Sequence, residues 1–176
     1  MFVISKVGEG STFRFYIPVK SLDLFSLDST TKSLRRVIGI EGNQGYRILI
    51  AEDMRLNRQL LTRILSPLGI EVREVSNGQD AIDVWQSWSP HLIWMDVRMP
   101  IMNGQEAASA IREIEAMRNI PNSQKVRIIA LTASLVDFRE EDLFLNGFDG
   151  FLSKPFTEDK VFERMAEHLN LKYIYK

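Results

Sequence analysis

Cysteine is missing from all 176 residues. Disulfides and thiolate metal sites are therefore excluded, which fits a reducing compartment. Also missing is any apolar run near the roughly 20 residues that a membrane-crossing helix needs. The N-terminus, Met1-Phe2-Val3-Ile4-Ser5-Lys6, lacks a basic stretch followed by a clean apolar one, so it does not read as a secretory signal. A cytoplasmic location is expected, with no membrane contact by this chain, although a longer parent protein could be membrane-anchored. Charge of one sign is not in excess: 22 basic residues face 23 acidic ones, with no charged tail, so nothing points to nucleic acid. Histidine is scarce. His91 precedes an apolar run and His168 falls in the last expected helix; both read as structural or surface residues. No internal repeat is present. The hydrophobic share of 45% and charged share of 26% match a folded domain, and the length suits one domain with an appendage.

Three zones follow along the chain. In residues 1–20, Gly8-Glu9-Gly10 signals a turn. Phe13, Phe15 and Ile17 then alternate with polar positions as in a strand, and Pro18 ends it. A single strand cannot bury its own face, so it needs a partner. Residues 21–45 are rich in Ser, Thr, Asp and Gly and read as a linker closed by the turn signal Glu41 to Gly45. Residues 46–176 alternate strand and helix five times. Strands are expected at Arg47–Ala51, Ile70–Val75, His91–Met95, Val126–Leu131 and Phe148–Ser153. Helices are expected around Leu56–Leu65, after Asn77-Gly78, around Ala107–Ile114, at about Val136–Leu145, and after Thr157 as N-cap. Continuous apolar runs such as Ile48-Leu49-Ile50 suit parallel strands buried on both faces. The fold class is therefore α/β, a doubly wound five-stranded parallel sheet in flavodoxin-like order 2-1-3-4-5 with helices on both faces.

Sites in such sheets lie beyond the C-terminal ends of the strands. The first strand ends in Glu52-Asp53, the third in Asp96, the fourth in Thr132 and the fifth in Lys154. Clustered carboxylates repel one another unless a cation joins them. Mg2+, a hard ion that prefers oxygen ligands, is the natural candidate. A carboxylate can also act as a nucleophile towards phosphorus, with a lysine and a hydroxyl neutralising and orienting the phosphoryl oxygens.

The runs Ile48-Leu49-Ile50-Ala51-Glu52-Asp53, Met95-Asp96-Val97-Arg98-Met99-Pro100 with Asn103-Gly104, Ala130-Leu131-Thr132-Ala133 and Lys154-Pro155-Phe156 resemble the motifs of response-regulator receiver domains. The resemblance covers Arg47 to about Leu169. It implies that Asp96 is the phosphoacceptor. It also implies that Glu52, Asp53, Asp96 and the backbone carbonyl of Arg98 hold Mg2+, and that Thr132 and Lys154 hold the phosphoryl group. Phe151 takes the aromatic switch position, and the Lys154–Pro155 bond is expected to be cis. Here Glu52 stands where aspartate is commoner, and Phe151 lacks the hydroxyl of a tyrosine.

A second resemblance links Gly8-Glu9-Gly10-Ser11-Thr12-Phe13-Arg14-Phe15-Tyr16-Ile17-Pro18 to the last turn and strand of a histidine kinase ATP-binding domain. Asn57-Arg58 looks like receivers fused to kinases. Together they imply the C-terminal part of a hybrid sensor kinase, although this chain lacks kinase glycine boxes and a phosphoacceptor histidine box. Expected partners are a histidine kinase domain, in cis or in trans, and a histidine phosphotransfer protein. The N-terminal strand is free to form a dimer or to dock on the receiver. An alternative function is a docking module that is never phosphorylated; the intact Asp53, Asp96, Thr132 and Lys154 favour phosphorylation. A DNA-binding effector does not fit the 22 residues after Lys154 (176 minus 154).

Overall fold

The computed structural model describes residues 2–18, 37–42, 45–133 and 145–176. The chain divides into two compact units, Met1–Arg35 and Arg36–Lys176. In the first, β1 (Phe2–Lys6) pairs antiparallel with β2 (Gly10–Arg14), placing Val3 opposite Phe13. Gly8 and Gly10, at φ 82° and 102°, make the turn that returns the chain. This corrects the expectation of one orphan strand. The strand stops at Arg14, and its partner is the chain's own Phe2–Lys6. The apolar triplet Phe2-Val3-Ile4 is too short to declare a period. A two-stranded ribbon covers neither of its faces, and Phe2, Ile4 and Phe13 stay exposed.

In the second unit, β4 (Arg47–Ala51), β5 (Glu71–Val75), β6 (Leu92–Asp96), β7 (Arg127–Thr132) and β8 (Gly150–Ser153) form one sheet in the order β5-β4-β6-β7-β8. Every pairing is parallel, as expected for a doubly wound sheet. The helices are α1 (Arg55–Leu65), α2 (Gly78–Trp88), α3 (Gly104–Met117) and a C-terminal helix (Glu158–Leu169). Of the helix expected at about Val136–Leu145, residues 136–144 lie outside the described residues. Asn77 caps α2 by accepting from the Asp80 amide, and Asn103 with Glu106 forms a capping box on α3. Thr157 occupies the N-cap of the C-terminal helix, but its side chain makes no capping hydrogen bond.

The two-residue strand period divides the core between the faces of the sheet. Ile48 and Ile50 pack with Leu61, Leu65, Phe162 and Met165 on one face. Leu49 and Ala51 pack with Ala81, Trp85, Ala107 and Ile111 on the other. Central β6 is buried along its whole length. Each large aliphatic side chain buried this way contributes about 1.5–3 kcal/mol.

Two short strands lie outside the main sheet. β3 (Val37–Ile40) pairs antiparallel with β9 (Tyr173–Tyr175), so the segment expected to be linker contains a strand. Val37 and Ile40 are buried in the same cluster as Phe162 and Leu171. The Glu41 amide donates to the Lys172 carbonyl at 2.8 Å, and the Tyr173 hydroxyl donates to the Phe162 carbonyl at 2.7 Å. Burial, with Tyr175 nearby, holds the Tyr173 phenol above its usual range, so it remains a donor.

Candidate functional site

Sheet hydrogen bonding runs one residue past several strands and fixes the residues there. The Glu52 amide donates to the Val75 carbonyl, Val97 to Leu131, and Lys154 to Thr132. At the close of α3's entry loop, a side chain on Gly104 would place its Cβ 2.1 Å from the Asp96 carbonyl oxygen. Only glycine lets helix and strand end meet so closely. The side chains carried there converge. One oxygen each from Glu52, Asp53 and Asp96 lie within 4.8 Å of one another. Lys154 Nζ sits 2.6 Å from Glu52 Oε2 and 2.7 Å from Asp96 Oδ2. The Arg98 amide donates to Asp96 Oδ1 at 3.2 Å.

The burial is graded. Glu52 is fully buried, Asp96 and Thr132 nearly so, and Asp53 is exposed. Asp53, Arg98, Pro100, Asn103 and Gln105 line a shallow cleft that opens beside the site. Burial alone would lower the Lys154 pKa, but the hydrogen bonds and charges of Asp96 and Glu52 outweigh it and hold it above the ordinary lysine value. Lys154 is thus a fixed cation. Three carboxylates facing one ammonium leave a deficit of two positive charges (three minus one), which a divalent cation would supply. Buried Glu52 Oε2 has only the Lys154 ammonium, 2.6 Å away, beside it. A hard, oxygen-preferring ion such as Mg2+ therefore suits this donor set.

Of the residues singled out from the sequence, Glu52, Asp53, Asp96 and Lys154 come together. Thr132 ends β7 between the strands that carry Asp96 and Lys154, and it pairs in register with Ser153. The Lys154–Pro155 bond is cis. Phe151 lies on β8, paired in register with Ala130. It is half-buried on the α2–α3 side, with the Arg164 guanidinium 5.9 Å from its ring centroid. Three polar contacts were not expected. Asn57 Nδ2 donates to Glu52 Oε1 at 2.9 Å, and Arg58 Nη1 donates to the carbonyls of Glu52 and Asp53 at 2.6 and 2.8 Å.

The model of the response regulator receiver domain matches residues 48–166. The chain belongs to this family. Among its relatives, a hybrid signal transduction histidine kinase K of Dictyostelium discoideum is 27% identical over 169 residues, which cover 91% of this chain and 13% of that protein. The chain spans only a small part of such relatives, 7% of the length of one and 20% of another. One similar solved structure is the receiver of the Saccharomyces cerevisiae response regulator Ssk1, crystallised with the histidine phosphotransfer protein Ypd1. It is 32% identical, has a TM-score of 0.65, and the match covers 70% of this chain and 88% of that one. Another is the receiver of the Pseudomonas aeruginosa sensor histidine kinase PA1611, which holds a magnesium ion in its active-site cleft. It is 30% identical, has a TM-score of 0.61, and the match covers 72% and 98% of the two chains. The receiver here is thus a two-component signalling module related to those of hybrid histidine kinases. Among its described residues no helix is long and apolar enough to cross a membrane.

Proposed function

We propose that this receiver accepts a phosphoryl group on Asp96 from a phosphohistidine and passes it on, or uses it to regulate a kinase in the same polypeptide. The observation that carries this reading is the ammonium of Lys154, held between Glu52 and Asp96 beside exposed Asp53. An Asp96 carboxylate oxygen forms the new O–P bond as the P–N bond breaks, and the electron pair leaves on the imidazole. Mg2+, when bound, supplies charge neutralisation on the phosphoryl oxygens. Glu52, Asp53, Asp96 and the Arg98 carbonyl would hold it. Lys154 offsets charge on another phosphoryl oxygen, and the Thr132 hydroxyl donates to a third. Phe151, half-buried and without a hydroxyl, responds by changing its burial.

The partner is a histidine phosphotransfer protein or a kinase histidine domain. Exposed Leu56 and Leu60 share one face of α1, and Ile101 is exposed on the loop after Asp96, an apolar surround suited to a docking helix. The N-terminal hairpin is read as the end of a kinase ATP-binding domain, located in the cytoplasm with its parent. Its uncovered Phe2, Ile4 and Phe13 support membership of a larger sheet. The test is intact mass after incubation with a small phosphodonor, with and without Mg2+, on the native chain and on Asp96→Asn. A Mg2+-dependent gain of one phosphoryl group, absent from the variant, is expected. No gain in either protein would defeat the reading and leave a docking module.

A further inference from the structure

Asn57 and Arg58 sit side by side in the first turn of α1 and grip the acidic pair in two different ways. Asn57 acts on a side chain. Its Nδ2 donates to Glu52 Oε1 at 2.9 Å, and the Met54 amide adds a longer contact of 3.4 Å to the same oxygen. Arg58 acts on the backbone. Its Nη1 donates to the carbonyls of both Glu52 and Asp53. The other side of the Arg58 guanidinium is itself held, with Nε 3.5 Å from Glu74 Oε2, and Glu74 in turn accepts from the Thr62 hydroxyl at 2.6 Å.

The asymmetry at Glu52 gives the pair a consequence. Its carboxylate is fully buried, so each oxygen's partners decide its orientation. Oε1 has donors; Oε2 has only the ionic contact with Lys154. A glutamate reaches one methylene further than an aspartate and has one more rotor to settle. Without Asn57, both Glu52 oxygens could turn to the Lys154 ammonium and withdraw from Asp53 and Asp96. We propose that Asn57 and Arg58 are positioning residues for the metal. Asn57 ties down Oε1 so that the Glu52 carboxylate stays with the other two, and Arg58 sets the turn that carries Glu52 and Asp53. The inference rests on the proposed Mg2+-dependent function and assigns a physical task to a dipeptide that the sequence marked only as a sign of origin.

The test is the Mg2+ dissociation constant, read by amide NMR shift titration, for the native chain, Asn57→Ala, Glu52→Ala and the double variant. Unfolding in the absence of Mg2+ checks that each is folded; alanine suits a helix interior, so Asn57→Ala should be. Loss of a residue that orients a metal ligand weakens binding by about tenfold. That loss is expected in the native background and should vanish in the Glu52→Ala background. An equal loss in both backgrounds, or none in the native one, overturns the role of Asn57. Arg58→Lys keeps the charge but loses the fork, and is expected to weaken Mg2+ as well. Unchanged affinity overturns the role of Arg58. A native chain that takes up no Mg2+ is a different failure: it removes the proposed function, and this inference with it.

Discussion

Lys154 Nζ, just past the end of β8, lies 2.7 Å from Asp96 Oδ2 at the end of β6, with β7 between the two strands. The contact ties the ends of β6 and β8 together across β7 and keeps a cation against the proposed acceptor. Glu52, fully buried, shares the same ammonium.

Removing that ammonium leaves a buried carboxylate unpaired. Lys154→Met is expected to lower stability by about 3 kcal/mol, read from urea unfolding. The folded-state pKa of Lys154 is raised, so its contribution is fully present below the ordinary value of 10.5 and is lost as pH rises through the folded value. Native stability should therefore fall more steeply above that value than the stability of Lys154→Met. Parallel pH profiles would contradict this.

Gly104→Ala drives a methyl group to 2.1 Å from the Asp96 carbonyl oxygen. Helix or strand end must shift, at a cost of about 2–3 kcal/mol. The shift moves the proposed acceptor, so phosphorylation rate and unfolding midpoint are expected to fall together.

Ile101 holds φ 69° while 85% exposed. A β-branched residue in the left-handed region is strained, and here no burial offsets the strain. Ile101→Asn is expected to raise stability by about 1 kcal/mol in thermal unfolding, since asparagine tolerates this conformation. In a binding titration with a phosphotransfer partner, the same variant should bind more weakly if the exposed side chain serves docking.

His168 is mostly buried, its Nε2 has no hydrogen-bond partner, and burial lowers its pKa below 6.5 against the opposing pull of Glu167 and Asp149. The unfolded chain then takes up a proton first. Stability is fully present above 6.5 and is lost as pH falls from there through the folded value. His168→Leu removes an unsatisfied polar atom, so it should hold or raise stability at neutral pH and flatten the acid limb.

Much of this was legible in the sequence because two signals agree. Apolar runs such as Ile48-Leu49-Ile50 mark strands buried on both faces, and each is followed directly by a polar residue. The sheet gathers those residues at one edge: Glu52, Asp53, Asp96, Thr132 and Lys154. Contacts without a period were not legible. β3 and β9 are four and three residues long, and each gains its strand character only from a partner at the other end of the unit. Glu115 reads as a surface residue of α3. It is fully buried because Arg112, one turn earlier on α3, and the Val126 amide satisfy it, and the second arrives only through tertiary structure. Asn57 stood out only, with Arg58, as a likeness to receivers fused to kinases; its contact with Glu52 arises because the turn of the chain sets the two together.

The ribbon of β3 and β9 bears on where this unit begins and ends. The family match runs over residues 48–166, which omits both strands. A receiver spliced at those limits would discard Val37, Ile40 and Leu171, three buried side chains of one core cluster, and would bare Phe162 and Leu68. Grafting experiments and chimeric sensors built from this chain should therefore cut before Arg36 and keep Tyr175. The two seams are stitched to each other, and neither can be moved alone.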